Sequence, residues 1–410
     1  MKRRDFLQTT STGIAATIGY GMLKPAANAL AQSTAAPPMR LGIIGPGSRG
    51  QELIRQFMRV PGVDVTAACD IYEPRFAQTE KLLGHTLAHH HDYRELLDRK
   101  DLDAIVIATP PRFHGQYVSA ALRSGRPVYG EKVMGFTVQD SRDIVAAARE
   151  SKQHYQVGHE YRYAPWFIEA IRRVHAGEIG HVTHVYGYWH RNNNWRRPVP
   201  DPKDERLINW RLYKESSMGL LAELGSHMVD TANWVFSSMP ESVLASGSIV
   251  EYHDGRETDD NVQAIYNYSE GRRFIFSALA NNAILGNQLW IYGDKGSVQL
   301  TIEDATFIYE KKAFAALAPT NPVVEKGMTT GASYSTKGEM PYRGEGSKVK
   351  IDNYEDATLT ACRSFITSVR ENKRPFADEI VGYGSAVAIT LGYQAKEEER
   401  LIRFGDNAKV

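Results

Sequence analysis

The chain has 410 residues but only two cysteines, Cys69 and Cys362. They sit in what read as a strand and a helix. Two such thiols build no disulfide framework, and a free buried pair is expected. Long apolar runs are also missing: nothing after residue 31 approaches the ~18–20 apolar residues that cross a bilayer. Neither sign of charge dominates, with 49 Lys and Arg against 48 Asp and Glu. Nothing in that balance points to nucleic acid or an anionic membrane as a partner. What is present is the composition of a globular protein. Hydrophobic residues make up 42% and charged residues 24%, enough for cores in two domains.

The N-terminus reads as a targeting segment. Lys2-Arg3-Arg4-Asp5-Phe6-Leu7 is a twin-arginine pattern. A mildly apolar stretch from Ser11 to Leu23 follows, and Ala29-Leu30-Ala31 offers a cleavage site. Residues 1–31 are therefore expected to be a signal peptide that exports the folded protein to the periplasm, with 32–38 a short leader. No cysteine lies near the cleavage site, so neither a lipid anchor nor membrane attachment is expected afterwards. Cleavage lowers Lys+Arg from 49 to 45 and Asp+Glu from 48 to 47, a mature charge of −2.

From Met39 the pattern alternates. Apolar strands near 40–44, 63–69, 104–108, 127–130 and 154–158 are separated by helices near 51–58, 93–97, 114–124 and 139–150. That order predicts a parallel sheet covered on both faces. After about residue 178 the runs turn β-branched and aromatic, and Ser269-Glu270-Gly271 and Gly293-Asp294-Lys295-Gly296 mark tight turns. A meander-like antiparallel sheet is expected there. Residues 319–346 read as a long loop, and helices near 355–371 and 380–396 close the chain.

Gly45-Pro46-Gly47-Ser48-Arg49-Gly50 follows the first strand and opens a helix. Asp70 ends the next strand twenty residues beyond Gly50. This is the full context of a dinucleotide-binding turn. Gly45 allows the tight turn, Gly47 admits the pyrophosphate, and Gly50 lets helix and sheet pack closely. The phosphates meet the positive end of the helix. Asp70 accepts bonds from the adenosine ribose and repels a 2′-phosphate, which favours NAD. Arg49 and Arg75 are cations that keep NADP open. Thr109-Pro110 and His114 leave the carboxyl end of the third strand, where such sheets bind ligands. They are further cofactor candidates, although for His114 a helix-start role fits equally well. The fold class is thus α/β, an N-terminal Rossmann doubly wound domain over 39–158. A C-terminal α+β domain with an open, mainly antiparallel sheet occupies 159–410.

Glu131-Lys132 stands at the same ligand edge. A lysine there can bond a substrate hydroxyl and stabilise the alkoxide that forms as hydride leaves. A solvated surface pair suits the same residues. In the segment Gly219 to Asp230, regular helix spacing puts Glu223, His227 and Asp230 on one face. A carboxylate beside a histidine orients the ring and suits a general base. A polar helix face with one capped histidine fits the same pattern.

Together these motifs resemble the glucose–fructose oxidoreductase / inositol dehydrogenase / MocA family over nearly the whole mature chain. The resemblance rests on the glycine turn with Asp70, Ala108-Thr109-Pro110, Glu131-Lys132 and Leu224-Gly225-Ser226-His227-Met228-Val229-Asp230. It implies that Lys132 and His227 are catalytic, with Glu223 beside them, and that Glu131 and Lys132 also border the cofactor. It implies a homo-oligomer as well. Two departures stand out: Val133 replaces the usual proline after Lys132, and Glu223 replaces the usual aspartate.

The stretch from Trp189 to Pro198 is dense in amide, guanidinium and indole groups, which suit a polyhydroxylated ligand. Arg191, Asn192, Trp195 and Arg196 are the candidates there, joined by Tyr161, Arg162 and Asp230; a surface or subunit-contact arm is the plainer alternative. His85, His89, His90 and His91 lack the spacing of a metal site, and none is expected. Export of a folded protein implies a tightly bound dinucleotide restored within each cycle. Three readings follow. The first is an oxidoreductase acting on a ring hydroxyl of a sugar or glycoside. The second is an NAD-dependent glycosidase or lyase passing through a 3-keto intermediate. The third is a non-catalytic sugar-binding protein.

Overall fold

A computed structural model describes residues 38–310, 346–352 and 354–409. The expected signal segment lies outside the described residues, as does all but the last residue of the expected 319–346 loop. The first sheet is built from β1 (Met39–Ile44), β2 (Val63–Cys69), β3 (Ala88–His90), β4 (Ala104–Ile107), β5 (Val128–Gly130) and β6 (Tyr155–Val157). All pairs are parallel, in the order β3-β2-β1-β4-β5-β6. The direction of winding reverses between β1 and β4, and a ligand cleft opens at the carboxyl ends of those strands. The strands read as unbroken apolar runs because both faces are covered. β4 is buried throughout.

Helices α1 (Ser48–Met58), α2 (Pro74–Leu83), α3 (Tyr93–Asp98), α4 (His114–Arg123) and α5 (Val138–Ser151) connect the strands. A capping box starts α5: Thr137 Oγ1 accepts from the Asp140 N–H at 3.0 Å, and Asp140 accepts from the Thr137 N–H at 2.8 Å. Cys69 and Cys362 are buried and unbonded.

The second sheet uses β7 (Val182–His190), β8 (Ser242–Ser248), β9 (Asn261–Asn267), β10 (Arg273–Leu279), β11 (Asn287–Gly293), β12 (Gly296–Thr301), β13 (Ala305–Tyr309), β14 (Ser347–Lys348) and β15 (Ile402–Arg403). Their order is β14-β13-β12-β11-β7-β10-β9-β8-β15. Adjacent hairpins make the expected antiparallel pairs, but the arrangement departs from a simple meander. β7 slots between β11 and β10 and runs parallel to β10, with Val185 opposite Phe274. This places β7 centrally, under helix α8 (Ser226–Phe236). Gly187 permits the approach: a Cβ there would lie 3.0 Å from the Phe274 ring and 3.2 Å from Met228 Cβ.

Between the two sheets the chain forms α6 (Pro165–His175), and the short α7 (Glu205–Ile208) lies in the segment after β7. Two C-terminal helices, α9 (Ala357–Glu371) and α10 (Glu379–Glu397), tie the halves together. The sequence boundary put everything after 158 in the second domain. By packing, α9 belongs to the first sheet: Leu359, Cys362, Phe365 and Ile366 join Leu41, Phe57 and Tyr129 in one core. Phe365 meets Phe57 and Tyr129 edge-on at 6.2 and 5.8 Å. The face of the parallel sheet that α9 covers would otherwise meet water.

Candidate active site

The glycine turn carries the cleft. Gly45 has φ +85°, a left-handed conformation that L side chains resist. A Cβ on Gly50 would lie 2.3 Å from the Gly45 carbonyl oxygen, whereas one on Gly47 would meet nothing within 4 Å. One glycine thus closes helix against turn, and another leaves open space above the helix N-terminus. The cleft has a volume of about 430 Å³ and is bordered by Gly47, Ser48, Asp70, Arg75, Thr109 and Pro110. Asp70 accepts the Tyr72 N–H at 2.9 Å, and burial raises its proton affinity. An open phosphate cradle and a half-buried carboxylate fit a dinucleotide with free ribose hydroxyls.

Three expected cofactor residues are engaged within the protein, although Arg49 still borders the cleft. Pro46 is buried, and its carbonyl accepts from Gln51 Nε2 at 3.4 Å. His114 is fully buried and does not border the cleft; its ring nitrogens face the carbonyls of Val133 at 2.6 Å and Thr109 at 2.8 Å. It ties the β4 loop to the β5 loop, so the helix-start reading was nearer. Arg49 turns its guanidinium inward: Nε donates to Glu131 Oε1 at 2.7 Å, and Nη2 lies 3.4 Å from Glu160 Oε2. Two carboxylates thus occupy a cation that had kept NADP open.

A smaller cavity of about 190 Å³ adjoins the cleft, lined by Thr109, Lys132, Glu160, Trp210, Glu223 and His227 among others. Here Lys132 and His227 come together. Lys132 Nζ donates to the Glu223 carbonyl at 2.9 Å and stands 3.8 Å from Glu223 Oε2. The Lys132–Val133 peptide bond is cis. Glu131 accepts the Lys132 N–H at 3.2 Å, so it braces the loop that carries Lys132. His227 is 5% exposed and stacks on Tyr161 with ring centroids 4.8 Å apart. Burial, then the Lys132 charge and His159, hold its imidazole well below its ordinary range, so the ring is neutral.

The expected Glu223–His227 pair does not form. Leu221–Gly225 is a π turn, and the regular α-helix α8 follows it from Ser226. The wider turn changes the angular phase on which the shared face depended. Glu223 instead accepts from Arg211 Nε at 2.8 Å. Burial works against its charge, but Lys132 and Arg211 outweigh that and hold the carboxyl below its usual range. The carboxylate nearest the histidine is Glu160, whose Oε2 lies 3.9 Å from His227 Nδ1. Glu160 was overlooked in the sequence, although its place just after β6, at the ligand edge of the sheet, was a usable signal.

Arg162 and Asp230, expected at the substrate, pair with each other at 2.8 Å with side chains 8% and 2% exposed. Arg162 also lies over Trp234 at 5.0 Å. This is an interior ion pair. Tyr161 keeps its place beside the site, its hydroxyl accepting from Asn287 Nδ2 at 2.7 Å.

A further cavity of about 390 Å³ is bordered by Arg191, Trp195, Arg196, Arg211 and Glu223. It collects most of the expected sugar-binding stretch. Asn192 does not border it, its backbone forming an isolated β-bridge with Asn281; Asn193 borders the cavity in its place. Arg196 is held by Glu205 and by Asp254 at 3.0 Å. Arg211, also overlooked in the sequence, borders all three cavities. The clustered histidines separate onto different carboxylates: His85 on Asp64, His89 on Glu80, His90 on Glu95 and His91 on Glu73. Among the described residues no three His, Cys, Asp or Glu side chains are grouped to hold a metal.

Residues 39–159 match the oxidoreductase family with an NAD-binding Rossmann fold, GFO/IDH/MocA, and residues 167–299 match the GFO/IDH/MocA C-terminal domain. The chain belongs to the GFO/IDH/MocA family. An uncharacterized oxidoreductase of Streptococcus pneumoniae is 26% identical over 268 residues, covering 64% of this chain and 69% of that protein. A glycosyl hydrolase family 109 protein of Saccharopolyspora erythraea is 31% identical over 200 residues, 44% of either chain. The match therefore spans less than half of that relative. A levoglucosan dehydrogenase solved in complex with NADH superposes with a TM-score of 0.70 at 18% identity, over 89% of this chain and 99% of that one. That likeness establishes the shared fold of this GFO/IDH/MocA chain, a parallel NAD-binding sheet followed by a mainly antiparallel one.

Proposed function

We propose that this GFO/IDH/MocA protein transfers hydride between a retained NAD and a ring hydroxyl of a sugar or glycoside. The observation carrying the reading is that Lys132 and His227, distant in the chain, line one half-enclosed cavity beside the dinucleotide cleft. Bound in that cleft, NAD supplies a hydride acceptor at its nicotinamide. Lys132 donates from Nζ to the substrate oxygen and favours the alkoxide. His227, kept neutral, accepts the hydroxyl proton at a ring nitrogen. Glu160, 3.9 Å from Nδ1, stabilises the imidazolium that results, and Arg49 at 3.4 Å holds that carboxylate in place.

The twin-arginine segment supports export to the periplasm with the dinucleotide already bound. The open face of the second sheet carries Tyr186, Tyr188, Trp290 and Tyr292 in neighbouring positions, which supports a homo-oligomer. No described helix is long and apolar enough to cross a membrane. The test is mass spectrometry of the nucleotide in purified protein, followed by a screen of sugars, glycosides and inositols for a change in nicotinamide absorbance. Silence across the whole panel sinks the oxidoreductase reading.

The similarity to glycosyl hydrolase family 109 proteins favours a second reading. Oxidation of a C3 hydroxyl acidifies the C2 proton, the C1 group is eliminated, water adds, and the ketone is reduced again. Glycoside cleavage with no net change in the nucleotide would support this route. Complete retention of a C2 deuterium through cleavage would exclude it.

A further inference from the structure

Arg191 follows β7 and borders the 390 Å³ cavity. Its guanidinium carbon lies 5.5 Å from the Trp189 ring and 5.5 Å from the Trp195 ring. Indole faces attract a cation without using its N–H donors. Of the neighbouring arginines, Arg196 is answered by Glu205 and Asp254 and Arg211 by Glu223, while Arg197, which borders this cavity too, is engaged at Ser48 of the dinucleotide cleft. Lys132 shares that same Glu223. Arg191 forms no ion pair with any described residue, and partial burial makes its charge costlier to hold. The cavity therefore carries a cation that the protein does not balance.

The dinucleotide does not explain Arg191, which is absent from the walls of the dinucleotide cleft. Arg197 answers that need, since it borders the cleft and donates from Nη1 to Ser48 Oγ at 2.6 Å. Arg191 faces the reacting end instead. The Trp189 ring beside it is 5.8 Å from the His227 ring, and Glu223 in the same cavity adjoins Lys132. One aromatic ring thus separates the unbalanced cation from the proposed base. A guanidinium with free in-plane donors matches an oxyanion bidentately.

We propose that the substrate is an anionic sugar whose oxyanion, a carboxylate or a sulfate ester, is held by Arg191 in this second cavity. The placing of the reacting hydroxyl at Lys132 and His227 rests on the function proposed above; the oxyanion site does not.

The test is calorimetric binding to the full, nucleotide-loaded protein. The probes are methyl glucuronide, glucose 6-sulfate and neutral methyl glucoside. At least one anionic probe should bind about tenfold or more tighter than the neutral one, and which one identifies the oxyanion. In Arg191→Gln that preference should fall to within about threefold. Arg191→Lys should keep part of it, and added salt should weaken it. Equal binding of all three probes overturns the proposal, as does a preference that survives Arg191→Gln. Nucleotide reduction is read separately. Anion preference without reduction overturns the oxidoreductase reading and leaves the Arg191 site standing. Reduction by neutral sugars without anion preference does the reverse.

Discussion

Glu223→Gln tests the electrostatics on which the site depends. The carboxylate stands 3.8 Å from Lys132 Nζ and 2.8 Å from Arg211 Nε. At an effective dielectric constant of about 20, Coulomb's law gives attractions of ~4 and ~6 kcal/mol. Desolvation of the charged groups takes back several kcal/mol, and losing one partner of a buried pair costs about 3–5 kcal/mol net. Glutamine keeps the shape, and the residue 223 carbonyl that Lys132 bonds at 2.9 Å is untouched. The lysine should therefore stay nearby with its counter-ion gone. With an unfolding entropy of ~2.1 cal/mol/K per residue over roughly 370 residues, the melting temperature should fall by about 4–6 °C. Turnover should fall by about 10²–10³, as when a preorganised donor is disturbed. Retained nucleotide should change little, because Glu223 does not border the dinucleotide cleft. Scanning calorimetry, nucleotide extraction and turnover on a responsive sugar read the three quantities. A variant with unchanged melting and unchanged turnover would refute the reasoning.

His227 is buried and neutral, its proton affinity depressed from an ordinary value of 6.5. Sugar oxidation should hold as pH falls through that value and fail only well below it, while His227→Asn should be inactive; an acid limb above 6.5 in the kcat–pH profile would contradict this. The unfolded chain takes up a proton at this residue below about pH 6.5. The His227 contribution to stability is therefore full above that pH and declines as pH falls, which denaturation midpoints can follow. Gly50→Ala should destabilise the fold whether or not nucleotide is present, since its Cβ would meet a carbonyl oxygen at 2.3 Å. Gly47→Ala should melt normally but lose nucleotide, and identical behaviour of the two would refute the assignment of the cradle. Asp230→Asn should cost about 3–5 kcal/mol in denaturant unfolding and leave KM for sugar unchanged. A raised KM would return Asp230 to the substrate site.

Most strands and helices and the glycine turn were legible because their signals are local, although α2, β3 and α6 were not read. Alternating apolar residues mark a strand wherever it pairs, and Gly45, Gly47 and Gly50 act within one turn and one helix. Asp70 was legible for the same reason, at a fixed distance along one βαβ unit. Lys132 and His227 could be named by resemblance, but their partners could not. The π turn at Leu221–Gly225 broke the helical phase that joined Glu223 to His227. Glu160 and the adjacent pair Trp210-Arg211 arrive from two separate segments and meet at one cavity. Arg162 and Asp230 looked like polar site residues until packing turned them toward each other.

The sequence by itself determined the alternation of strand and helix and the dinucleotide turn, because both depend on neighbours within a few dozen residues. Only the tertiary structure decided where β7 pairs, that α9 returns to cover the first sheet, and which carboxylate meets which cation. Those outcomes depend on contacts between distant segments. Sheet order and close packing set them, and no local periodicity records them.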